Sequence, residues 1–253
     1  MDEAFRAQGR APIGNDPEGT LRDPPDAAQV ASPSAVTEPA WTTLDLQAWA
    51  ILAPLATEYI PWSTAAMRPS GLVAVLNDLH VLERRTVVEC GAGISTLFIA
   101  RALERLGHGH LTTLEHDPLW AAATRRQLAR EGLTGRATIV EAPLAPHPLS
   151  WDGDWYAEAA LARGLPAARI DLLLVDGPPA HEHAIRHARY PALPVLRDRL
   201  ASDCTVVLDD AGRSGEQEVL ERWEAETDLR FERRPDHGGI AIARPPGHAP
   251  LGV

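Results

Sequence analysis

From residue 85 onward the chain alternates short apolar, often β-branched runs with longer stretches of helical spacing. The apolar runs predict strands at about 85–90, 111–115, 137–141, 170–176 and 205–209. Helical spacing fills the gaps, from Thr96-Leu97-Phe98-Ile99 to Leu106, from Leu119 to Arg130, and over residues 190–200 and 214–226. The punctuation agrees with this division. Gly107 and Gly132 stand where helices stop, Asp117-Pro118 offers an N-cap and an N1 proline, and Ser214-Gly215-Glu216-Gln217 has the form of a capping box. The run Ile170 to Val175 is apolar on both faces, as a central parallel strand requires. Strands alternating with helices predict an α/β fold, a mostly parallel sheet with helices on both faces. Residues 229–232 and 239–242 flank Pro235-Asp236-His237-Gly238 and predict a closing antiparallel hairpin. Ahead of the first strand, an amphipathic helix is expected from Leu44 to Ala53, interrupted by Pro61-Trp62-Ser63. A second should run from Ser70, its expected N-cap, to His80. Trp41, Trp49 and Trp62 are expected as core anchors. Residues 145–169 form a long connection whose Trp151, Trp155 and Tyr156 either line a pocket or pack a surface helix.

Composition divides the 253 residues further. Residues 1–40 are rich in Pro, Gly, Ala, Asp and Ser and predict a disordered tail. Residues 41–84 hold the N-terminal helices and residues 85–246 the main domain. The balance of 24 basic against 35 acidic residues, a net charge of -11, disfavours binding to nucleic acid or anionic membranes. Cys90 and Cys204 fall in predicted strands and are expected as buried thiols. No apolar run reaches membrane-spanning length and the start is acidic, so a cytoplasmic location is expected.

The candidate chemistry begins where the first strand ends, at Glu89-Cys90-Gly91-Ala92-Gly93-Ile94-Ser95-Thr96. A strand, a glycine turn and a helix make a nucleotide-type crossover. The dinucleotide fingerprint fails at its third glycine, where Thr96 stands, which weakens a dehydrogenase reading. Glu115, at the tip of the second strand, is placed to accept hydrogen bonds from two ribose hydroxyls, which serves NAD and S-adenosylmethionine alike.

The run Val87-Val88-Glu89-Cys90-Gly91-Ala92-Gly93-Ile94-Ser95-Thr96 resembles motif I of class I S-adenosylmethionine-dependent methyltransferases. Val175-Asp176-Gly177-Pro178-Pro179 resembles a group of small-molecule O-methyltransferases, and the closing hairpin is a hallmark of that fold. The resemblance covers about residues 70–244. It implies a Rossmann-like class I methyltransferase fold with a seven-stranded sheet, and N-terminal helices that roof the substrate site. It also implies S-adenosylmethionine contacts from Glu89, Gly91, Ala92, Gly93, Ser95, Thr96, Glu115, His116 and Asp176, with Ala142 and Pro143 beside the adenine. Catechol-type members carry an Asp after the fourth strand and an Asp-Asn pair after the fifth, and this chain has Asp176 and Asp209-Asp210. The resemblance therefore implies a Mg²⁺ site at Asp176, Asp209 and Asp210, a hard-ion donor set that would help an acceptor hydroxyl lose its proton. Asp176 is then a candidate catalytic residue. His181 and His183 are candidates for a general base, or are simply exposed.

These residues together predict an S-adenosylmethionine-dependent O-methyltransferase acting on a small-molecule hydroxyl, with a homodimer left open. Two alternatives stand beside it: a non-catalytic binding module of the same fold, and an NAD-dependent oxidoreductase.

Overall fold

The computed structural model describes residues 41–244 apart from Ile60, Pro61 and Thr64. The expected tail at 1–40, Pro61, and the last two residues of the 85–246 segment lie outside the described residues.

Parallel strands β1 (Thr86–Cys90), β2 (His110–Glu115) and β3 (Ala137–Glu141) are joined by α3 (Ile94–Leu106) and α4 (Pro118–Arg130). Two short strands, β4 (Leu144–Ala145) and β5 (Trp155–Tyr156), then pair antiparallel, and α5 (Glu158–Gly164) follows. The chain re-enters the main sheet as β6 (Ile170–Val175). It continues through α6 (Ala192–Leu196), β7 (Leu200–Leu208), α7 (Ser214–Glu226) and the hairpin of β8 (Glu232–Arg234) and β9 (Ile240–Ala243). The sheet has seven strands in the order β3-β2-β1-β6-β7-β9-β8, and β9 runs antiparallel to both of its neighbours. The expected architecture is thus the observed one. Because β1 and β6 are adjacent while β2 and β6 leave β1 on opposite sides, the chain reverses direction between them. In open α/β sheets that reversal opens a crevice at the carboxyl edge.

Period-2 alternation sorts side chains between two cores. Val87, Leu111, Leu172 and Leu174 join the core under α1 (Thr43–Leu52), α2 (Pro69–Val81), α3 and α4. Val88, Cys90, Leu114, Leu173 and Val175 join the core under α6 and α7, with Trp155 and Tyr156. Cys90 and Cys204 are free and buried, as expected. No helix among the described residues is long and apolar enough to cross a membrane.

Several local expectations are corrected. Arg68, not Ser70, is the N-cap of α2, with Pro69 at N1. The cap is borrowed from α1: Asp45 Oδ1 accepts from Ser70 Oγ at 2.6 Å and from Ser70 N at 3.3 Å, and Oδ2 accepts from Arg68 Nε at 3.0 Å. Burial pushes Asp45 up, but these bonds outweigh it and hold the carboxyl below its ordinary range. The Ser214–Gln217 capping box does not form, since Arg213 is the extended N-cap and Gln217 reaches back to the Gly212 carbonyl instead. The helix expected at 190–200 is only five residues long in α6, with Pro191 at its N-cap, Pro194 within it and a 3₁₀ turn after it, and β7 begins early at Leu200. Asp117 does cap α4, accepting from Leu119 N at 2.8 Å and Trp120 N at 3.1 Å.

The aromatic expectations also shift. Trp155 and Tyr156 are fully buried, so they fill the core and do not line an open pocket. Trp151 stacks on His187 at 3.8 Å. Trp41 is exposed, and it gathers with Trp49 and Trp62 in an edge-on cluster that touches α3 through Phe98.

Candidate active site

The site is built where β1 gives way to the glycine turn. Gly91 adopts φ +90, a left-handed conformation that glycine tolerates and other residues resist. Its N–H bonds the Leu114 carbonyl at 2.9 Å, and its open side lies against the turn after β6. A Cβ added at Gly91 would meet the Asp176 carbonyl oxygen at 2.7 Å. One added at Gly177 would meet the Gly91 Cα at 2.8 Å and the Tyr156 hydroxyl at 2.8 Å. Two glycines therefore let the loops after β1 and β6 touch across the switch point. Gly93, extended and open on its Cβ side, starts α3, and its N–H donates to Thr96 Oγ1 at 2.9 Å.

Glu115 straddles this turn. Oε2 accepts from Ala92 N at 2.7 Å, and Oε1 accepts from Asp117 N at 2.7 Å, with His116 Nδ1 at 3.0 Å. A carboxylate has about four acceptor sites, so one remains beyond the backbone pair and His116, and a ligand hydroxyl that displaces His116 gains a second. Trp120, absent from the expectations, donates from its indole N–H to the Ala92 carbonyl. Ala142 is buried beside this end, with its N–H on the Glu115 carbonyl at 2.8 Å, and Pro143 is exposed just beyond.

Glu89 lies at the end of β1, beside the glycine turn. It is fully buried, and its carboxylate accepts from Ser95 Oγ at 2.5 Å, Thr96 Oγ1 at 2.6 Å and Thr113 Oγ1 at 2.7 Å. These bonds tie the carboxylate to the first turn of α3 and to β2.

Asp176, Asp209 and Asp210 converge as expected, each offering a carboxylate oxygen within 4.8 Å of the others. Asp210 sits at φ 57, a left-handed conformation uncommon for a non-glycine residue. At ~5 Å, two like charges repel by roughly 3 kcal/mol for an effective dielectric near 20, so the trio needs a cation. Sequence reasoning missed the one that is there. Arg189, buried after the Pro-Pro turn, bonds Asp176 Oδ1 at 3.2 Å and Asp210 Oδ2 at 3.1 Å. It also donates to the carbonyls of Pro178 at 3.2 Å and Asp209 at 3.1 Å. Burial opposes its charge, but Asp176, Asp210, Glu216 and Asp209 around it hold the guanidinium protonated. No motif announced this residue, since it lies in an irregular segment whose partners are all distant in sequence. Glu216, in the first turn of α7, lies 3.8 Å from Arg189, and its oxygens have no hydrogen-bond partner among the described residues.

His181 and His183 are exposed, and neither makes a hydrogen bond or ion pair among the described residues. The histidine the fold engages is His187, clamped between Asp152 at 2.7 Å and Glu218 at 2.6 Å.

Burial pushes several acids up. Glu89 reaches about 7, Asp209 about 7 with repulsion from Asp210, and Glu216 about 7 against the pull of Arg189. Asp176 lies well above its ordinary range through burial and the charge of Asp209. In the unfolded chain these groups return to ordinary values of 4.5 for Glu and 3.8 for Asp. The folded protein therefore keeps protons that the unfolded chain releases, and stability is full below those values and falls as pH rises to about 7. Carboxyls held low, such as Asp45 and Glu131, act only below that window. Melting temperature should thus decline from about pH 5 to about pH 7, and Glu216→Gln should flatten the slope. A melting temperature that climbs across this range would contradict the burial argument.

Residues 88–211, which run from β1 through the acid cluster, match a family described as a methyltransferase domain. Residues 88–211 thus resemble a methyltransferase domain, and the sheet around them has the class I methyltransferase fold. A catechol O-methyltransferase from Niastella koreensis is 41% identical over 62 residues, which is 24% of this chain and 27% of that relative. The match thus spans about a quarter of the relative's length. Among solved structures, a Podospora anserina methyltransferase bound to S-adenosylhomocysteine superposes with TM-score 0.53 at 16% identity, over 80% of this chain and 88% of that one. An O-methyltransferase from Bacillus cereus superposes with TM-score 0.50 at 14% identity, over 83% and 93%. At such identities these structures show a shared methyltransferase fold. In this domain the glycine turn and the acid cluster are built from the ends of adjacent central strands, β1, β6 and β7.

Proposed function

We propose that the methyltransferase domain binds S-adenosylmethionine and transfers its methyl group to a hydroxyl of a small molecule. The observation that carries the reading is the contact of Gly91 with the Asp176-Gly177 turn at the switch point, with Glu115 on one side and Asp209 on the other. The cofactor is assigned to Gly91, Ala92, Gly93 and Glu115, where open backbone meets a carboxylate with acceptors to spare. The S-adenosylhomocysteine in the fungal and Bacillus cereus structures supports that choice, and the catechol O-methyltransferase relative supports an oxygen acceptor. Asp176 stands between the glycine turn and the acid cluster. Its carboxylate is the group placed to take a proton from an acceptor hydroxyl. Positioning the hydroxyl in line with the sulfonium methyl supplies further rate, on the order of 7–11 kcal/mol in favourable cases.

The Mg²⁺ that the catechol-type pattern implies meets a donor set of the right kind in the three acids. That set is already partnered by Arg189, so no step is routed through a metal ion. The test is transfer of labelled methyl from S-adenosylmethionine to a panel of catechols, sugars and natural-product hydroxyls. Label should appear on at least one oxygen acceptor. Label on nitrogen acceptors alone, or on no acceptor while the cofactor binds, would contradict hydroxyl methylation.

A further inference from the structure

We propose that Arg189 is the resident cation of the acid cluster, standing where a catechol-type enzyme would place a divalent metal, so that this site does not recruit one. The proposal rests on the methyl-transfer reading for its chemical meaning, but its geometry is independent of that reading.

Three observations carry it. First, guanidinium groups already stand on two of the three acids: Asp176 Oδ1 accepts from Arg189 at 3.2 Å, and Asp210 Oδ2 lies 3.1 Å from Arg189 Nη1 and 2.8 Å from Arg213 Nη1. Mg²⁺ demands near-octahedral oxygen ligands at about 2.0–2.1 Å, and an oxygen flanked by two guanidinium groups is a poor candidate. Second, Arg189 cannot swing aside. Its side chain is 5% exposed, and the carbonyls of Pro178, Asp209 and Asp176 hold its nitrogens from the backbone at 3.1–3.4 Å. A lysine in its place would neutralise the acids but lacks the planar fork that reaches two carboxylates and three carbonyls together. Third, a guanidinium stays protonated in proteins, so it cannot yield its charge to an incoming dication as a carboxylic acid yields a proton. A metal at the trio would stand against a fixed positive charge. Arg189 thereby acts as a positioning residue: it orients Asp176 beside the glycine turn and keeps Asp210 in its left-handed conformation.

The test is Mn²⁺ uptake by the full chain, followed by the paramagnetic resonance signal of the free aquo ion, in wild type and in Arg189→Met. Wild type should leave the free signal unchanged at millimolar Mn²⁺. Arg189→Met exposes the three acids and should bind one Mn²⁺ at least about tenfold more tightly. Saturable uptake of one Mn²⁺ by wild type, abolished by Asp209→Ala, would overturn the proposal, as would a folded Arg189→Met that gains no affinity. If Arg189→Met fails to fold, the wild-type titration decides alone, with uptake overturning the proposal and none supporting it. Calorimetric titration of the same wild-type sample with S-adenosylhomocysteine separates the two readings. Loss of that binding would sink the cofactor assignment and leave the Mn²⁺ result standing.

Discussion

Glu115→Ala is expected to weaken S-adenosylmethionine binding roughly tenfold to a hundredfold. Charge-assisted hydrogen bonds to a carboxylate contribute about 1.5–3 kcal/mol. The acceptor capacity of Glu115 beyond Ala92 N and Asp117 N, one free site and the one now facing His116, is assigned to the ribose hydroxyls. The substitution acts twice. It removes the ligand contacts, and it releases the glycine turn, whose Ala92 N–H then lacks its partner. Glu115→Gln separates the two, because the amide keeps one oxygen for a backbone donor while losing the charge. Its affinity should fall between wild type and Glu115→Ala. Calorimetry on the three proteins reads this directly, and equal dissociation constants for wild type and Glu115→Ala would remove Glu115 from the cofactor site.

Gly91→Ala should cost about 2–5 kcal/mol of stability. A left-handed backbone disfavours any side chain by about 1–2 kcal/mol, and overpacking adds about 1–3 kcal/mol. Here the new Cβ would press on backbone, 2.7 Å from the Asp176 carbonyl oxygen and 3.0 Å from its carbon. No rotamer relieves such a contact. Either β1 or the turn after β6 must move, and the Asp176 N–H to Cys90 carbonyl bond at 3.0 Å ties the two together. For a domain of this size the melting temperature should drop by roughly 5–15 °C. A melting temperature within about 2 °C of wild type would show that the two loops are not in contact.

What the sequence made legible and what it hid follow from the range of the interactions. The parallel strands and the helices after β1 and β2 are written in local periodicity, and Gly91 and Asp117-Pro118 are local turn and cap signals. The order of the strands and the convergence of Asp176 with Asp209 and Asp210 followed from the resemblance to a known fold. Three kinds of feature were not legible. Asp45 caps α2 from another helix, 25 residues away from Ser70, which no capping pattern detects. The hydroxyls of Ser95, Thr96 and Thr113 that close around Glu89 come from α3 and β2, a contact no local pattern announces. Arg189 lies in a segment with neither helical nor strand periodicity, and its meaning comes from acids 13 residues before it and 21 after, brought together only by the parallel pairing of β6 and β7. The acids were visible in the sequence, and the arginine beside two of them was not.

The central claim is an S-adenosylmethionine site at the switch between β1 and β6, and calorimetric titration of the full chain tests it most directly. S-adenosylmethionine and S-adenosylhomocysteine should each bind with one-site stoichiometry and far more tightly than NAD. Absence of binding by both, or tighter binding of NAD, would contradict it.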